Sequence, residues 1–347
     1  PQSRKKWYHS EDVERLKLRK ESRKDPAKVV ANSLFFGSPI LETSISLIQN
    51  QVLYYRGRNA LQLAAMKSVE EVASWIWLED ETFLLNLKLA TPSLSFNPLL
   101  KSFSHLRLIE QFQTILPLAE TEDLSAYNLT KEGVAHTGMR ILRLLINLAT
   151  QREMRDSSIA EHLQHSWVPA SQEASLLFQT TLNLCADHEL NISTFTARCV
   201  ASSGATPYAV VQAGLAALKG FRHGGNVERV AALFEECQNS GNVRKVLKAR
   251  LQRGEVIPGL GHPLYPEGDP RYKTILQLLK QYFSHSPMLQ LTEVLEEEAQ
   301  TMLNTSPTLD WALVILGRTL QLSADAPLTL FALGRIMGWI GHAIEQY

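Results

Sequence analysis

The sequence is poor in cysteine, and its cysteines lack the spacing of a disulfide framework or a metal site. The three residues, Cys185, Cys199 and Cys237, are an odd number, and none lies in a CxxC motif. A disulfide-stabilised secreted domain carries an even, closely spaced set. Cys185 and Cys237 lie in apolar stretches with helical spacing. We therefore expect buried free thiols in a reducing compartment, and a cytoplasmic protein.

Long apolar runs and an excess of charge of either sign are also missing. Apolar runs such as residues 311–316 fall far short of the ~18 to 20 residues of a membrane span, and the first residues have no signal-peptide core. The 35 Lys and Arg balance the 35 Asp and Glu, so no overall field attracts the chain to nucleic acid or to a membrane. The 347 residues suffice for about two globular domains.

Strand-like alternation is scarce as well, which predicts a mainly α-helical protein. It occurs only at residues 42–55, where a polar Gln-Asn-Gln turn allows at most a small hairpin. No βαβ pattern repeats, Gly259-Leu260-Gly261 lacks the third glycine of GxGxxG, and no GxxxxGK[ST] motif occurs. These absences exclude the doubly wound nucleotide-binding folds.

Residues 152–172 are polar and irregular, so we expect a loop there. Within them, His162 and His165 have a spacing of three that a metal could use. Two exposed histidines on one face are the simpler expectation.

Glycine and proline are densest at residues 254–270, which excludes a helix and predicts a functional loop containing His262. Asp269 then begins a helix at residues 270–283 as its N-cap. Arg271 lies in the first helical turn, where the helix dipole disfavours a cation. Either it meets an anionic partner or it is a surface arginine that tolerates a small penalty.

A clean helix at residues 207–218 ends just before His223. Gly224 and Gly225 follow this histidine and permit a close backbone approach, and Asn226 is expected to N-cap the next helix. Two interpretations stay open: an anion site at that helix start, or a turn whose histidine caps a helix end.

The last helix, expected at residues 328–345, is apolar on almost every face, so it should be buried. Arg335 lies in its middle, and an unpaired buried guanidinium is costly, so a carboxylate should meet it. That carboxylate belongs either to an Asp or Glu of the protein or to a substrate. The apolar faces also lead us to expect a dimer.

His188 follows an apolar helix, and Asp310 begins another at residues 311–322. A zinc site formed by separated histidines and an aspartate has no local ligand pair to support it. The alternative is a site for a small polyanionic substrate with acid/base chemistry. It would combine three histidines, two arginines and one carboxylate: His188, His223, His262, Arg271, Arg335 and Asp310.

These residues lie in motifs that resemble those of the citrate synthase family, in the same order and spacing, from about residue 28 to the end. The motifs are Tyr55-Arg56-Gly57, Asp187-His188-Glu189-Leu190-Asn191 with Ser193-Thr194, Ser202-Ser203-Gly204-Ala205 with Pro207-Tyr208, His223-Gly224-Gly225, Pro258-Gly259-Leu260-Gly261-His262 with Tyr265, Asp269-Pro270-Arg271, and Gly334-Arg335 with Gly338-Trp339-Ile340 and His342.

The resemblance implies an all-α, two-domain homodimer. Residues 28–223 and 310–347 would form a large helical domain, and residues 224–309 a small one that closes over the substrates. The implied reaction is the acyltransferase condensation of acetyl-CoA with oxaloacetate to citrate and coenzyme A. No permanently bound cofactor is implied, because acetyl-CoA is a substrate.

The resemblance also implies roles for the site residues. Asp310 aligns with the base that removes the methyl proton, and His223 with the group that stabilises the enolate. His262 aligns with the residue that polarises the oxaloacetate carbonyl. The residues that align with the holders of its carboxylates are His188, Arg271 and Arg335.

The sequence departs from the family at three places. Asn226-Val227 stands where the family usually has Ala-Asn, and Thr308 where it often has asparagine. The chain stops at Tyr347, before a family arginine that reaches the partner subunit's site.

Residues 1–27 are basic and leave two interpretations open. They form a solvated arm, or they are the last part of a MerR-like helix-turn-helix domain, which residues 4–8 (Arg-Lys-Lys-Trp-Tyr) resemble. The second would add DNA as a partner. Two alternatives to the citrate synthase function therefore stay open: a 2-methylcitrate synthase that uses propionyl-CoA, and a DNA-binding regulator that senses ligands without turnover.

Overall fold

The computed structural model describes residues 42–86 and 102–347. In these residues the prediction of an all-α protein is confirmed, because fourteen α-helices are accompanied by only one small sheet. The basic segment 1–27, with its two interpretations, lies outside the described residues.

The helices are, in chain order, α1 Ala60–Met66, α2 Val69–Leu78, α3 Leu108–Glu122, α4 Lys131–Thr150, α5 Ile159–Trp167, α6 Glu173–Cys185, α7 Ile192–Ala201, α8 Pro207–Leu218, α9 Gly225–Ser240, α10 Val243–Gln252, α11 Pro270–Tyr282, α12 Pro287–Leu303, α13 Leu309–Thr319 and α14 Ala326–Gln346. Single 3₁₀ turns occur at Leu84–Asn86 and Leu124–Tyr127. None of these helices combines the length and apolar content needed to cross a membrane.

The expected hairpin is present, and it carries a third strand. The antiparallel sheet has the order β1 (Ser46–Gln49), β2 (Val52–Tyr55) and β3 (Arg58–Asn59). Asn50 and Gln51 both have positive φ, which is the conformation that a tight two-residue hairpin turn requires. The third strand has only two residues, too few for an alternating pattern to reveal it.

The expectation of a loop at residues 152–172 is wrong, because α5 lies within it. Ser158 caps this helix and forms a reciprocal capping box with Glu161. That Ser-x-x-Glu spacing is a helix-start signal which the polar composition obscured. His162 is buried, with its Nε2 3.0 Å from the hydroxyl oxygen of Thr150, so it is not the exposed residue we expected.

Helix α14 is the centre of the core, as its apolar sequence predicts. Every residue from 326 to 344 is buried within the single chain, where α14 packs against α4, α6, α7 and α8. Because its own chain covers this helix, its apolar faces provide no argument for a dimer. Dimerisation therefore stays a prediction from the family resemblance alone.

Candidate active site

All six predicted site residues line one cavity of about 470 Å³. They come from separate parts of the chain: the loop after α6, the turn before α9, the loop before α11, and the starts or middles of α11, α13 and α14. Within the described ranges, no group of three or more histidine, cysteine, aspartate or glutamate residues is arranged to hold a metal ion. The cavity combines the basic and acidic side chains of the predicted acid/base site, which are His188, His223, His262, Arg271, Arg335 and Asp310.

Two glycines place Arg335 in the cavity wall by letting α14 approach α6 closely. A Cβ atom at Gly334 would lie 2.6 Å from the Leu182 carbonyl oxygen, and one at Gly338 would lie 2.3 Å from that of Ala186. Any larger residue at either position would push the helices apart. This contact brings the Arg335 Nε within 2.7 Å of the Cys185 carbonyl oxygen.

Arg335 is 1% exposed, yet it forms no ion pair with any carboxylate in the described part of the chain. Its Nη1 is buried without a hydrogen-bond partner. The nearby carboxylate of Asp187 is instead bonded by Ser46 and His342. Burial lowers the pKa of the guanidinium. The charge of Asp187 acts on Arg335 from nearby, but no protein carboxylate in the described ranges forms an ion pair with it.

Unlike Arg335, Arg271 forms an ion pair with a carboxylate of the protein. It is 4% exposed and donates from Nε and Nη2 to the two oxygens of Asp269, at 3.0 and 2.8 Å. It is therefore not a surface arginine. The second oxygen of Asp269 also accepts from the backbone N–H of Leu309 at 3.0 Å, which joins the start of α11 to the start of α13. Sequence reasoning recognised Asp269 only as an N-cap.

The glycine-rich loop is anchored to the segment that carries Asp310. The N–H of Thr308 donates to the Gly259 carbonyl at 2.9 Å, and the N–H of Gly261 donates to the Ser306 carbonyl at 2.9 Å. Gly259 has a φ of +72°, and a Cβ there would lie 2.4 Å from the indole of Trp311. No side chain fits at this position, so the glycine is required by both its conformation and its packing.

His262 stands at the end of this loop, next to His188. Their ring centroids are 5.0 Å apart, and the Tyr265 hydroxyl lies 3.1 Å from Nε2 of His188. The backbone N–H of Leu264 donates to Nδ1 of His262 at 3.2 Å, so neutral His262 carries its proton on Nε2. Burial, with the charge of Arg271, lowers the pKa of both histidines and keeps them neutral.

His223 forms a hydrogen bond with the hydroxyl of Ser193, a motif residue for which the sequence indicated no role of its own. Its Nε2 lies 2.8 Å from Oγ of Ser193, which also accepts from the indole N–H of Trp339 at 3.2 Å. Burial, with the charge of Arg335, lowers the pKa of His223 to about 4. The imidazole is therefore neutral at physiological pH.

Asp310 lies in the first turn of α13 and accepts two hydrogen bonds at Oδ2. The donors are the side-chain amide of Asn226 at 2.8 Å and the hydroxyl of Thr308 at 3.1 Å. Burial raises the pKa of Asp310 above its usual range. The N-cap of α9 is Gly224, so the expectation that Asn226 caps this helix is wrong.

A larger cavity, of about 800 Å³, lies where the ends of α9, α11 and α13 meet the start of α12. It is lined by His285 and Arg318 but by no carboxylate and by none of the predicted site residues. The smaller cavity is therefore the one that combines histidines with a carboxylate.

Comparisons with known proteins agree on one family. The family model described as citrate synthase, C-terminal domain, matches residues 34–347. Citrate synthase 2 of Bacillus subtilis is 27% identical over 88% of this chain and 89% of its own length. The 2-methylcitrate synthase of Mycobacterium tuberculosis is 33% identical over 53% of this chain and 48% of its own length. The crystal structure of citrate synthase from Thermotoga maritima has a TM-score of 0.74 at 25% identity, covering 90% of this chain and 91% of the other.

Proposed function

Since the chain belongs to the citrate synthase family, we propose that it condenses acetyl-CoA with oxaloacetate and releases citrate and coenzyme A. It is an enzyme of the citrate synthase type, an acyltransferase. The assignment of individual residues to steps of this reaction is our proposal. It follows from the geometry of the cavity and from the roles that the family motifs imply.

The observation that carries the proposal is the unpaired guanidinium of Arg335. A buried arginine without a carboxylate partner is strongly destabilising, so a site that retains one is suited to a ligand that supplies the carboxylate. Arg271 keeps Nη1 outside its ion pair with Asp269. Two guanidinium groups and His188 in one cavity fit a dicarboxylate such as oxaloacetate, because arginine binds carboxylates in a planar, directional way.

In the first step, Asp310 removes a proton from the methyl group of acetyl-CoA. The C–H electron pair moves into the C–C bond, and negative charge develops on the thioester oxygen. His223 donates a hydrogen bond to this oxygen as the neutral imidazole. A neutral donor is supported by the lowered pKa of about 4, and a preorganised donor stabilises the charge that develops.

In the second step, the enolate carbon attacks the ketone carbon of oxaloacetate. The Nε2–H of His262 donates to the ketone oxygen, makes the carbon more electrophilic, and passes its proton to this oxygen as the C–C bond forms. The hydrogen bond from Leu264 to Nδ1 supports this tautomer. Water then cleaves the citryl thioester, so that coenzyme A leaves as the thiol and citrate carries three carboxylates. In the hydrolysis step Asp310 gives up the proton that it took from the methyl group, and His262 regains one.

We also propose that residues 224–309 form the small domain that closes over the cavity. Phe221 and Val256, 65% and 73% exposed, line the cavity from opposite sides of this proposed boundary. Closure would cover both side chains and exclude water from the enolate. The homodimer and the cytoplasmic location belong to the same proposal.

The Asp310→Asn variant tests the reaction. The substitution keeps the size of the side chain but removes the base, so thiol release from acetyl-CoA with oxaloacetate should fall by at least ~10²-fold. Binding of oxaloacetate, measured by calorimetry, should persist. Asp80→Asn, at an exposed loop position whose carboxylate accepts from its near neighbours Thr82 and Phe83, is the matched control and should keep wild-type activity.

A wild-type protein that binds both substrates but releases no thiol would overturn the enzyme proposal and favour a ligand-sensing regulator. Propionyl-CoA belongs in the same assay because of the 2-methylcitrate synthase relative. One methylene changes binding by only ~1 to 3 kcal/mol, so both acyl groups should react at different kcat/KM. If kcat/KM is higher for propionyl-CoA than for acetyl-CoA, propionyl-CoA becomes the proposed substrate and 2-methylcitrate synthase the proposed function.

A further inference from the structure

The carboxylate of Asp310 is held asymmetrically by side chains from two different elements. Asn226, in the first turn of α9, donates to Oδ2 at 2.8 Å, and Thr308, just before α13, donates to the same oxygen at 3.1 Å. In the described part of the chain, Oδ1 accepts no hydrogen bond. The two donors occupy both lone pairs of Oδ2, and only Oδ1 has a free acceptor position.

A tight turn brings Asn226 to this carboxylate. A Cβ at Gly224 would lie 2.7 Å from the Leu218 carbonyl oxygen, and one at Gly225 would lie 3.0 Å from that of Gly220. The two glycines therefore let α9 begin directly against the end of α8. Asn226 follows them immediately, and its side chain spans to a residue 84 positions later in the chain.

From this geometry we propose that Asn226 is a positioning residue, which directs Oδ1 of Asp310 to the substrate. The inference rests on the proposed role of Asp310 as the base. When the methyl C–H bond breaks, the proton moves to Oδ1 and the electron pair stays on the substrate as the enolate. Without the side-chain amide of Asn226, the carboxylate of Asp310 can rotate, and Oδ1 no longer points at the methyl group of the substrate.

Opposing influences act on the ionisation of Asp310. Burial and the charge of Asp269 raise its pKa, whereas the hydrogen bonds from Asn226 and Thr308 and the charge of Arg271 lower it. The remaining titratable or charged groups around the cavity are Cys185, His188, His223, His262, Arg222, Arg229 and Arg335. All of these are unchanged in a variant of Asn226, so a difference in pH dependence between that variant and the wild type reports on the amide.

The experiment compares Asn226→Ala and Asn226→Asp with the wild type in the thiol-release assay from about pH 5 to 9. Ionised Asp310 is the active form, so activity is lost as pH falls through its pKa. Loss of the amide should move this acid limb to higher pH by about one unit and lower kcat roughly tenfold in Asn226→Ala. Asn226→Asp has nearly the same shape but adds a like charge, so its acid limb should move further.

A deuterium isotope effect supplies an independent readout. With trideuterated acetyl-CoA, the effect on kcat should increase in both variants, because proton removal becomes slower relative to the other steps. The KM for oxaloacetate should change little. Glu228→Ala, in the same helical turn but with its carboxylate bonded to Arg107 at the surface, is the matched control and should keep the wild-type pH profile.

The outcomes separate this inference from the proposed function. Inactive wild-type protein would overturn the function itself. Active wild type with inactive Asp310→Asn, but with wild-type acid limbs in both Asn226 variants, would overturn only the positioning role. In that case Asn226 would be merely structural. Acid limbs in the order wild type, Asn226→Ala, Asn226→Asp from low to high pH would confirm the role.

Discussion

Nε2 of His223 lies 2.8 Å from Oγ of Ser193, a residue 30 positions earlier in the chain. The single hydroxyl proton of Ser193 has two acceptors in reach, since Oδ1 of Asn191 is also 2.8 Å away. That amide oxygen already accepts from the backbone N–H groups of Ser193 and Thr194. The Ser193 hydroxyl is therefore shared among His223, Asn191 and Trp339, and the direction of its bond to Nε2 depends on the tautomer of His223.

Substitution Ser193→Ala tests this relationship. It removes the hydrogen-bond partner of Nε2, which holds the His223 ring in place, so kcat should fall by roughly 10- to 100-fold while the KM for oxaloacetate changes little. Stopped assays of thiol release measure both constants. Ser203→Ala, whose hydroxyl bonds the Val200 carbonyl at an exposed helix end, is the control. Equal kcat in the two variants would contradict the prediction.

Substitution Arg335→Leu should raise the KM for oxaloacetate far more than that for acetyl-CoA. A carboxylate would lose a charge-assisted partner worth ~1.5 to 3 kcal/mol, which corresponds to roughly 10- to 150-fold. Steady-state kinetics with each substrate varied in turn gives the two values. Arg318→Leu, which removes an arginine from the larger cavity, should change neither. Equal effects of Arg335→Leu on both substrates would mean that Arg335 is structural.

The lowered pKa of His223 predicts a stability loss on acidification. Its pKa is about 4 in the folded protein, against 6.5 for an ordinary histidine. Between these values the unfolded chain binds a proton that the folded one does not, so the free energy of unfolding decreases as pH falls from about 6.5 towards 4. Urea denaturation at pH 7 and pH 5, at fixed protein concentration, measures the loss.

In His223→Gln this contribution is absent, so the loss between the two pH values should be smaller by about 1 to 2 kcal/mol. His165→Gln, at an exposed position, should keep the wild-type difference. The same loss in His223→Gln as in the wild type would show that His223 already has an ordinary pKa in the folded state.

The homodimer is tested by light scattering on the purified protein. The family resemblance predicts twice the mass of the 39.0 kDa chain at micromolar concentration. A monomer under these conditions would contradict the expected quaternary structure. It would leave the cavity and its residues unaffected, because all of them belong to one chain.

The helices and their ends could be predicted where local chemistry decides them. Residues 207–218 and the Asp269 cap behave as predicted, because a proline in the first turn and a capping side chain act within one helical turn. The helix at Ile159–Trp167 was missed because its apolar face is short and its flanks are polar. The third strand was missed because two residues carry no pattern.

The six site residues that line the cavity were all singled out from the sequence, since each lies in a motif with a distinct local signature, and their roles stay a prediction. Which of the two buried arginines pairs with a protein carboxylate could not be predicted, because the sequence allowed either a protein or a substrate carboxylate at each. Arg271 pairs with a carboxylate two residues away, whereas Arg335 is left without one, although both arginines are buried. Asp269 lies beside Arg271 at the start of α11, whereas the close packing of α14 against α6 directs Arg335 Nε to the Cys185 carbonyl.

The sequence by itself determined the helical class, the family motifs and two departures from them, Asn226 and Thr308. Only the tertiary structure decided that both departures contact one oxygen of Asp310, at 2.8 and 3.1 Å. The reason is geometric: hydrogen bonds act over about 3 Å, and the distance between residues 226 and 310 depends on how α9 and α13 pack. Helical periodicity specifies which face of each helix is buried, but not which side chains meet across the cavity.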